Sequence, residues 1–407
     1  MATKALQKYN PSDKGIPVMC YDFDQIIDRS GNHAAKYDER AKKFGTSDVI
    51  PLWIADMDFR TCQPVIDALT ARAQEGIWGY TARPESYFEA VRGWQKRRHG
   101  WEIDPKLMSF SLGVVQSISA CVRLFTPEGG TVLIQTPVYS EFYDMAEAWG
   151  RKVLECPFAE QDGKWTVNWT DFEEKLHHAD LFLLCNPHNP LDIVWTPEEL
   201  RRMTELCIKH HVRLFSDEIH GDLVFHGKRH TPTASLSPET ARYVMTGISG
   251  SKTFNLAGLQ ASAMVFPDRH TKHIFDRFWH RMDIHRNNAF SLTAMEAAFN
   301  GGEEWLEQLL PYLSDNFDFV VNFCRTRIPK VKTYAPDATY LMWLDCRDLG
   351  LENDALRDFM IHKAGLGLNE GWSFGRQLKG FMRLNAACPR SVLSKALTQL
   401  EAAVNNL

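Results

Sequence analysis

Short apolar segments that alternate with stretches of helical periodicity constrain the fold of this chain more than any other feature of its sequence. Residues 131–135, Leu181–Cys185 and residues 243–248 are predominantly apolar runs. Between such runs, apolar side chains recur with helical spacing, as at positions 114, 115, 118, 122 and 125 of Val114–Phe125. A strand that is apolar on both faces is buried on both. The alternation therefore predicts an α/β fold with a mostly parallel sheet between layers of helices.

Further strand candidates extend this pattern to both sides. They are residues 107–112, 212–216, 261–266, 340–344 and 381–384. Thr196 is followed by Pro197 and, three residues after Thr196, by Glu199, which is typical of the start of a helix. From about residue 301 onward, helices mix with the last two strand candidates and with a glycine-rich stretch at 365–375. This change favours a second, smaller α+β domain.

The composition of the 407 residues excludes several classes of protein. Apolar residues make up 44% and charged residues 24%, which is ordinary for a globular protein and argues against collagen-like, disordered or coiled-coil chains. With 46 Lys and Arg against 51 Asp and Glu, the net charge is −5, so no basic footprint for nucleic acid is present. No apolar run approaches ~18 residues, so we expect no membrane span. A small molecule is the expected partner.

Nine cysteines are scattered along the chain without any C-x-x-C pair, which is typical of a reducing compartment. Residues 1–20 mix Lys, Asp, Pro and Gly and contain no apolar core, unlike a secretory signal. The sequence therefore predicts a cytoplasmic location.

Polar residues cluster where the predicted strands end. Asn189 follows one strand, Asp217 ends the next, and Ser249, Ser251 and Lys252 follow a third. Ligands of open α/β sheets bind outside the carboxyl ends of the strands. We therefore expect these residues to converge on one site although they are far apart in the sequence.

The residue types at this site suit an anionic cofactor with a reactive carbonyl. A desolvated Lys252 would lose proton affinity and become a nucleophile, whereas most lysines simply lie in solvent. Asp217 is costly to bury alone and could pair with a protonated ring nitrogen, unless it is an ordinary strand-terminal Asp. Gly113 precedes a helix start, where free N–H groups can bind phosphate, although any strand–Gly–helix junction looks the same. Tyr139 could stack on a flat ring or belong to the core.

A metal site is the alternative for the acidic end of this region. Asp217, Glu218, His220 and Asp222 lie close together in the sequence, but they lack the H-E-x-x-H spacing or any other ligand spacing that we recognise. We predict no metal.

Three runs in the same order carry a resemblance to a known superfamily. They are Asn186-Pro187-His188-Asn189-Pro190, residues 216–223 (SDEIHGDL) and residues 251–260 (SKTFNLAGLQ). With them, the chain resembles the aminotransferase superfamily (class I/II, fold type I) that depends on pyridoxal 5′-phosphate (PLP). Residues 53–59 (WIADMDF) and 383–390 (RLNAACPR) resemble its cystathionine β-lyase branch, and the similarity runs from about residue 21 to the C-terminus.

This resemblance implies a PLP cofactor and a role for each matching residue. Lys252 would be the Schiff-base lysine and the base at the substrate Cα. Asp217 would pair with the pyridine nitrogen, Asn189 and His220 would contact the phenolic oxygen, and Tyr139 would stack on the ring. The phosphate would be bound by the backbone of three further residues, with help from Ser249 or Ser251. Those three residues are Gly113, Val114 and Val115.

The resemblance also implies a substrate site that two subunits share. Arg383 would bind the carboxylate of an amino-acid substrate, a task that suits its forked guanidinium. Tyr80 would reach the phosphate or the substrate of the partner subunit, which implies a homodimer. A large PLP-binding domain at residues 60–300 and a small domain made of residues 1–59 and 301–407 are the expected domains.

The implied activity is that of a carbon–sulfur β-lyase, which cleaves cystathionine or an S-substituted L-cysteine to a thiol, pyruvate and ammonia. An aminotransferase on the same scaffold remains the alternative, and a catalytically silent regulator is a rival of another class. Four positions depart from the pattern of the family. Gln260 replaces a usual Arg, Asp192 a Gly, Gly250 a Pro and Glu370 a Pro.

Overall fold

The computed structural model describes residues 19–161 and 163–407 of the chain. Its strands, in chain order, are β1 (Ile50–Pro51), β2 (Met108–Ser111), β3 (Thr131–Thr136), β4 (Lys152–Pro157), β5 (Ala159–Gln161), β6 (Lys164–Thr166), β7 (Leu181–Cys185), β8 (Arg213–Asp217), β9 (Val244–Ile248), β10 (Ser262–Val265), β11 (Leu341–Asp345), β12 (Leu366–Gly367), β13 (Asn369–Glu370) and β14 (Phe381–Asn385).

The helices connect and cover these strands. In chain order they are α1 (Ala35–Asp38), α2 (Arg40–Phe44), α3 (Gln63–Gln74), α4 (Glu85–His99), α5 (Val114–Phe125), α6 (Glu141–Ala148), α7 (Trp169–Leu176), α8 (Pro197–Lys209), α9 (Pro238–Ala241), α10 (Arg269–Arg281), α11 (Ala289–Gly301), α12 (Glu303–Arg327), α13 (Asn353–Asp358) and α14 (Arg390–Asn405).

A seven-stranded sheet in the order β2-β10-β9-β8-β7-β3-β4 forms the centre of the described chain. The pairs from β9 through β8, β7 and β3 to β4 are parallel. The carboxyl ends of β3, β7, β8 and β9 therefore lie at one edge of the sheet. This arrangement confirms the predicted α/β fold with a mostly parallel sheet.

Successive side chains of the central strands pack into two separate apolar layers. Leu133 and Phe182 belong to one buried cluster, whereas Ile134 and Leu183 belong to the other. The second cluster includes Val114 and other residues of α5. Because side chains alternate across a strand, a strand covered on both faces must be apolar at every position, as these runs are.

Local sequence patterns predicted the ends of two helices correctly. The helix over Val114–Phe125 has the bounds predicted from its periodicity, and the predicted capping box is present at the start of α8. There the Glu199 N–H donates to Thr196 Oγ1 at 3.2 Å and the Thr196 N–H donates to Glu199 Oε2 at 2.9 Å. These two bonds satisfy groups that would otherwise lack partners at the helix start.

The structure differs from the sequence prediction in two ways. The strand predicted at 261–266 is β10, which runs antiparallel to both of its neighbours. The direction of a strand leaves no trace in its apolar pattern, so the sequence could not show this. The edge strand β4 was not predicted, because its half-buried side chains do not form an apolar run.

A second, antiparallel sheet in the order β11-β14-β13 comes from the C-terminal part of the chain, and β1 pairs with β12 beside it. Segments near both ends of the sequence thus meet. The small domain expected from residues 1–59 and 301–407 and the large domain expected at 60–300 stay predictions. Residues 1–18, which carry most of the polar N-terminal stretch, lie outside the described residues.

Membrane-spanning helices and clustered metal ligands are both absent from the described residues. No helix in ranges 19–161 and 163–407 is both long and apolar enough to cross a membrane. In the same ranges, no three His, Cys, Asp or Glu side chains are grouped so that they could hold a metal ion.

Candidate active site

A cavity of about 200 Å³ opens at the carboxyl ends of the parallel strands. The predicted site residues that line it come from five separate segments of the chain. The predicted residues among those that line it are Gly113, Val114, Val115, Tyr139, Asn189, Asp217, His220, Ser251 and Lys252. Ala55, Gln116 and Gln260 are among the other residues of the wall.

Lys252 lies in the loop after β9, and its ammonium faces the cavity. Its Nζ donates a hydrogen bond of 2.6 Å to the carbonyl oxygen of Ala55. Burial lowers the pKa of Lys252 to about 8, and the charge of Arg383 acts in the same direction, whereas Asp56 and Asp217 oppose the shift. A lysine with such a pKa has an appreciable unprotonated fraction near neutral pH, which a nucleophilic amine requires.

Asp217 ends β8 and is 4% exposed. Its Oδ1 accepts a hydrogen bond of 3.1 Å from the Ile219 N–H, and no basic side chain of the described residues forms an ion pair with it. Burial raises the pKa of Asp217 to about 7, and the neighbouring Glu218 contributes in the same direction. A buried carboxyl without a cation is a natural partner for a protonated nitrogen of a ligand.

His220 lies beside the same cavity with an unsatisfied ring nitrogen. Among the described residues, its buried Nδ1 has no hydrogen-bond partner. Burial lowers the pKa of His220 to about 3, and the charges of Lys252 and Arg383 act in the same direction. The imidazole is therefore neutral, with one N–H to donate to a ligand oxygen.

The start of α5 offers free backbone donors. Gly113 is the N-cap, and the helical bonding begins when the Ser117 N–H donates to the Gly113 carbonyl at 3.1 Å. The N–H groups of Val114, Val115 and Gln116 precede that bond, so they are free to bind a phosphate at the positive end of the helix dipole.

The two predicted serines differ in their surroundings. Ser251 lines the cavity. Ser249 does not: its hydroxyl donates to the Ala261 carbonyl at 2.8 Å and accepts from the Ser251 N–H at 3.0 Å. The side chain of Ser249 thus supports the loop that carries Lys252, and only Ser251 faces the space that a phosphate could enter.

Arg383 lies on β14, next to the cavity but not in its wall. It is 4% exposed, and its Nη1 donates to Asn189 Oδ1 at 3.1 Å. Its Nη2 donates to the Trp53 carbonyl at 2.9 Å and to Asn369 Oδ1 at 3.0 Å, whereas its Nε has no partner within the described chain. Burial lowers the pKa of Arg383 to about 10, so it remains a cation with a donor to spare.

Tyr139 and Tyr80 have very different positions. Tyr139 follows β3 and lines the cavity, where its ring could lie against a flat ligand. Tyr80 is 87% exposed and contacts Arg286, whose guanidinium carbon is 4.3 Å from the ring centre. Tyr80 therefore does not contribute to the cavity of its own chain.

Residues 54–57 had no predicted role, but hydrogen bonds to their backbone connect the elements around the cavity. The Ala55 carbonyl accepts from Lys252 and also from the Tyr340 hydroxyl at 2.9 Å. Asn255 holds the adjoining Met57 by two bonds of 3.0 and 2.9 Å, and Asn385 Nδ2 donates to the Ile54 carbonyl at 2.7 Å. The sequence signal was the WIADMDF run, which carried the resemblance without a stated role.

The groups around the cavity fit the cofactor that the resemblance implies. An amine, an unpaired buried carboxyl, a neutral imidazole and free helix-start N–H groups correspond to the aldehyde, pyridine nitrogen, phenolic oxygen and phosphate of PLP. The unpartnered His220 Nδ1 is one clear sign, because buried polar groups are rarely left without partners. Asp217 is another, because its carboxyl is buried without a cation beside it.

Comparison with known proteins assigns the family. The model of the family described as aminotransferase class I and II matches residues 47–400. The chain belongs to this family. It is 42% identical over 385 residues to cystathionine beta-lyase PatB of Bacillus subtilis, a match that covers 94% of this chain and all of that protein.

Solved structures agree with this assignment. A PLP-bound structure from Clostridium difficile superposes with a TM-score of 0.93 at 41% identity and covers 95% of this chain and all of its own. Cystalysin from Treponema denticola, which contains PLP, superposes with a TM-score of 0.90 at 33% identity, again over 95% of this chain and all of its own.

Two of the four positions that depart from the family pattern, Gly250 and Glu370, fit closely into their surroundings. A Cβ at Gly250 would lie 3.1 Å from Met295 Sδ and 3.1 Å from the Phe254 ring, so little space remains for a larger residue there. Glu370 forms ion pairs with Lys43 at 3.3 Å and with Arg357 at 3.0 Å. It thereby connects β13 to α2 and α13.

Proposed function

We propose that this chain is a PLP-dependent carbon–sulfur β-lyase that converts cystathionine or an S-substituted L-cysteine to a thiol, pyruvate and ammonia. The observation that carries the proposal is the cavity in which Lys252, the unpaired Asp217 and the neutral His220 face one another. The cystathionine beta-lyase PatB of Bacillus subtilis and a C-S lyase of Staphylococcus hominis, 31% identical with a TM-score of 0.88, support the lyase over other reactions of the family.

Each residue of the site has a task in this reaction. PLP, when bound, supplies an electron sink for the negative charge that develops at the substrate Cα. Asp217 would keep a proton on the pyridine nitrogen, Asn189 and His220 would bind the phenolic oxygen, and Tyr139 would lie against the ring. Gly113, Val114, Val115 and Ser251 would bind the phosphate, while Ser249 holds the Lys252 loop in place.

Lys252 and Arg383 act on the substrate itself. The Arg383 guanidinium binds the α-carboxylate, which fixes the Cα–H bond relative to the ring. The Lys252 amine removes the Cα proton, and its lowered pKa suits a base at neutral pH. The thiolate then leaves Cβ, and water completes the release of pyruvate and ammonia.

The decisive experiment is incubation of the holoenzyme with L-cystathionine and with an S-alkyl L-cysteine. Thiol, pyruvate and ammonia released in equal amounts without a keto acid support the lyase. Turnover that requires 2-oxoglutarate would instead identify an aminotransferase, the alternative that the family name suggests. The Lys252→Ala variant should lose both the visible absorption band and turnover, and an unchanged band would contradict the role of Lys252.

The proposal includes a homodimer in the cytoplasm. Tyr80 lies in an exposed, largely apolar stretch with Ile77 and Trp78, which are 78% and 60% exposed. Large apolar side chains grouped at the surface favour burial against another chain. The family resemblance implies that Tyr80 then reaches the cavity of the partner chain. The cytoplasmic location continues to rest on the scattered cysteines.

A further inference from the structure

Asp192, one of the departures from the family pattern, occupies a strained turn directly behind the active site. It follows Asn189 and Pro190, has a backbone φ of +56° and is 1% exposed. Its N–H donates to the His188 carbonyl at 2.8 Å, which closes the turn. Glycine adopts such a backbone freely, and aspartate is among the few other residues that tolerate it.

The Asp192 side chain reaches across to the second sheet. Its Oδ1 accepts a hydrogen bond of 2.7 Å from the Thr339 hydroxyl. The Thr339 oxygen in turn accepts from the Leu341 N–H at 3.0 Å, at the first residue of β11. Tyr334 adds a parallel contact, because its hydroxyl donates to the Leu191 carbonyl at 3.2 Å.

Thr339 is itself in an unusual conformation. Its φ is +67°, its side chain is fully buried, and its N–H donates to the Leu223 carbonyl at 2.8 Å. A β-branched residue in the left-handed region is strained, and such strain persists where the surroundings fix it and clusters at functional sites. Two strained residues in direct contact therefore require an explanation beyond the connection of two elements.

The pair lies between two elements that meet again at the substrate site. Asp192 is three residues from Asn189, whose Oδ1 accepts from Arg383 Nη1 at 3.1 Å. Thr339 anchors β11, in which Trp343 is paired with Arg383 of β14. The Asp192–Thr339 contact therefore connects the segment that carries Asn189 to β11, the strand that is paired with that of Arg383.

We propose that Asp192 and Thr339 form a positioning pair that holds Asn189 against Arg383 and so sets the affinity of the site for the α-carboxylate of its amino-acid substrate. The inference rests on the proposed function in that Arg383 is taken as the carboxylate-binding residue. Burial raises the pKa of Asp192 well above its usual range. Burial thus favours the neutral carboxyl, so we assign the effect of Asp192 to its hydrogen bond with Thr339 rather than to charge on Arg383.

Four variants separate the hydrogen bond from backbone strain and charge. Asp192→Gly keeps the left-handed turn and removes the acceptor, whereas Asp192→Asn keeps the turn and a neutral acceptor. Thr339→Val removes the hydroxyl and keeps the branched shape, whereas Thr339→Ser keeps the hydroxyl. Each disruptive change thus has a matched conservative control, should one of the variants fold poorly.

The measurement is the dissociation constant of L-alanine, read from the visible spectrum of the holoenzyme, beside KM for an S-alkyl L-cysteine. L-alanine has no leaving group at Cβ, so its binding is independent of lyase turnover. We expect Asp192→Gly and Thr339→Val to weaken the binding of L-alanine about tenfold and to raise KM, with kcat and PLP affinity unchanged. Asp192→Asn and Thr339→Ser should stay within about twofold of the wild type.

The double variant completes the test. If the two residues act as a pair, the double variant Asp192→Gly with Thr339→Val should bind L-alanine no more weakly than Thr339→Val alone, because Thr339→Val already removes the bond to Asp192. The proposal would be overturned if the two changes weakened L-alanine binding additively, or if PLP affinity fell together with L-alanine affinity. It would also be overturned if Gly and Asn at position 192 had equal effects, or if L-alanine did not saturate the wild type. Lack of thiol release with normal L-alanine binding would overturn the lyase alone and leave the pair supported.

Discussion

Replacement of Asp217 by Asn should stabilise the PLP-free protein in a way that depends on pH. Asp217 is buried without a cation, so its ionisation is opposed in the folded chain and free in the unfolded one. Asn has nearly the same shape, does not titrate and can still accept the hydrogen bond from the Ile219 N–H. The variant therefore isolates the free energy of ionising this one carboxyl.

The magnitude follows from the shift in pKa. A rise from 3.8 to about 7 corresponds to roughly 3 pKa units, or about 4 kcal/mol. Below its unfolded pKa, a carboxyl whose pKa is raised by folding is protonated in both states and the folded protein has its full stability. The free energy of unfolding then falls as the pH rises from the unfolded pKa through the folded pKa. Relative to the Asn variant, the free energy of unfolding of the wild type should thus fall by about 2 kcal/mol by pH 5 and by about 4 kcal/mol by pH 7.

Urea unfolding of the two PLP-free proteins at pH 5 and pH 7 measures this difference at equal protein concentration. The unpartnered amide of Asn lowers the stability of the variant by an amount that does not depend on pH. The informative quantity is therefore the difference in free energy of unfolding between the two proteins, which should change by about 2 kcal/mol from pH 5 to pH 7. The matched control is Asp283→Asn, at a carboxylate that is 77% exposed. A gap that stays constant between the two pH values would refute the view that Asp217 is held unpaired at a cost.

Three further predictions test other parts of the molecule. Uptake of PLP by the PLP-free protein should accelerate about fifty-fold between pH 6 and pH 8 and level off above pH 9, because the unprotonated Lys252 amine is the reactant. A rate independent of pH in stopped-flow absorbance would contradict this. Phe215→Ala should destabilise the protein by about 3–5 kcal/mol in thermal or urea unfolding, since Phe215 is fully buried between the sheet and α5; a loss below about 1 kcal/mol would show that the site collapses. Co-expression of inactive Tyr80→Ala and Lys252→Ala chains should restore about a quarter of the wild-type activity, because half of the dimers then hold one intact shared site. No recovery in mixed dimers would argue against a shared site.

The sequence predicted those parts of the structure whose causes are local. Val114–Phe125 was recognisable at both ends, since its apolar spacing starts directly after Gly113, and the start of α8 was recognisable from Thr196 and Glu199. The convergence of Asp217 and Lys252 could also be predicted, because parallel strands place their carboxyl ends at one edge. In each case the cause lies within a few residues or in a general rule of sheet topology.

Features that depend on tertiary contacts could not be predicted in this way. The Ala55 carbonyl binds Lys252 across 197 positions of sequence, and a backbone oxygen has no sequence signature. Ser249 and Ser251 are equivalent as letters, yet only the packing of β9 on β10 decides that the Ser249 hydroxyl bonds to Ala261. The antiparallel direction of β10 is hidden for the same reason.

Lys252 and Asp217 carry opposite charges in one cavity, yet they do not form an ion pair. An ion pair would lower the pKa of Asp217 and raise that of Lys252, but burial shifts both in the reverse direction, to about 7 and about 8. Burial therefore leaves both groups partly uncharged near neutral pH, where each can still exchange a proton. A ligand that brings a ring nitrogen to Asp217 and a carbonyl carbon to Lys252 satisfies both at once. The same burial that destabilises the empty site thus leaves Lys252 with a pKa that suits a base once a substrate has displaced it.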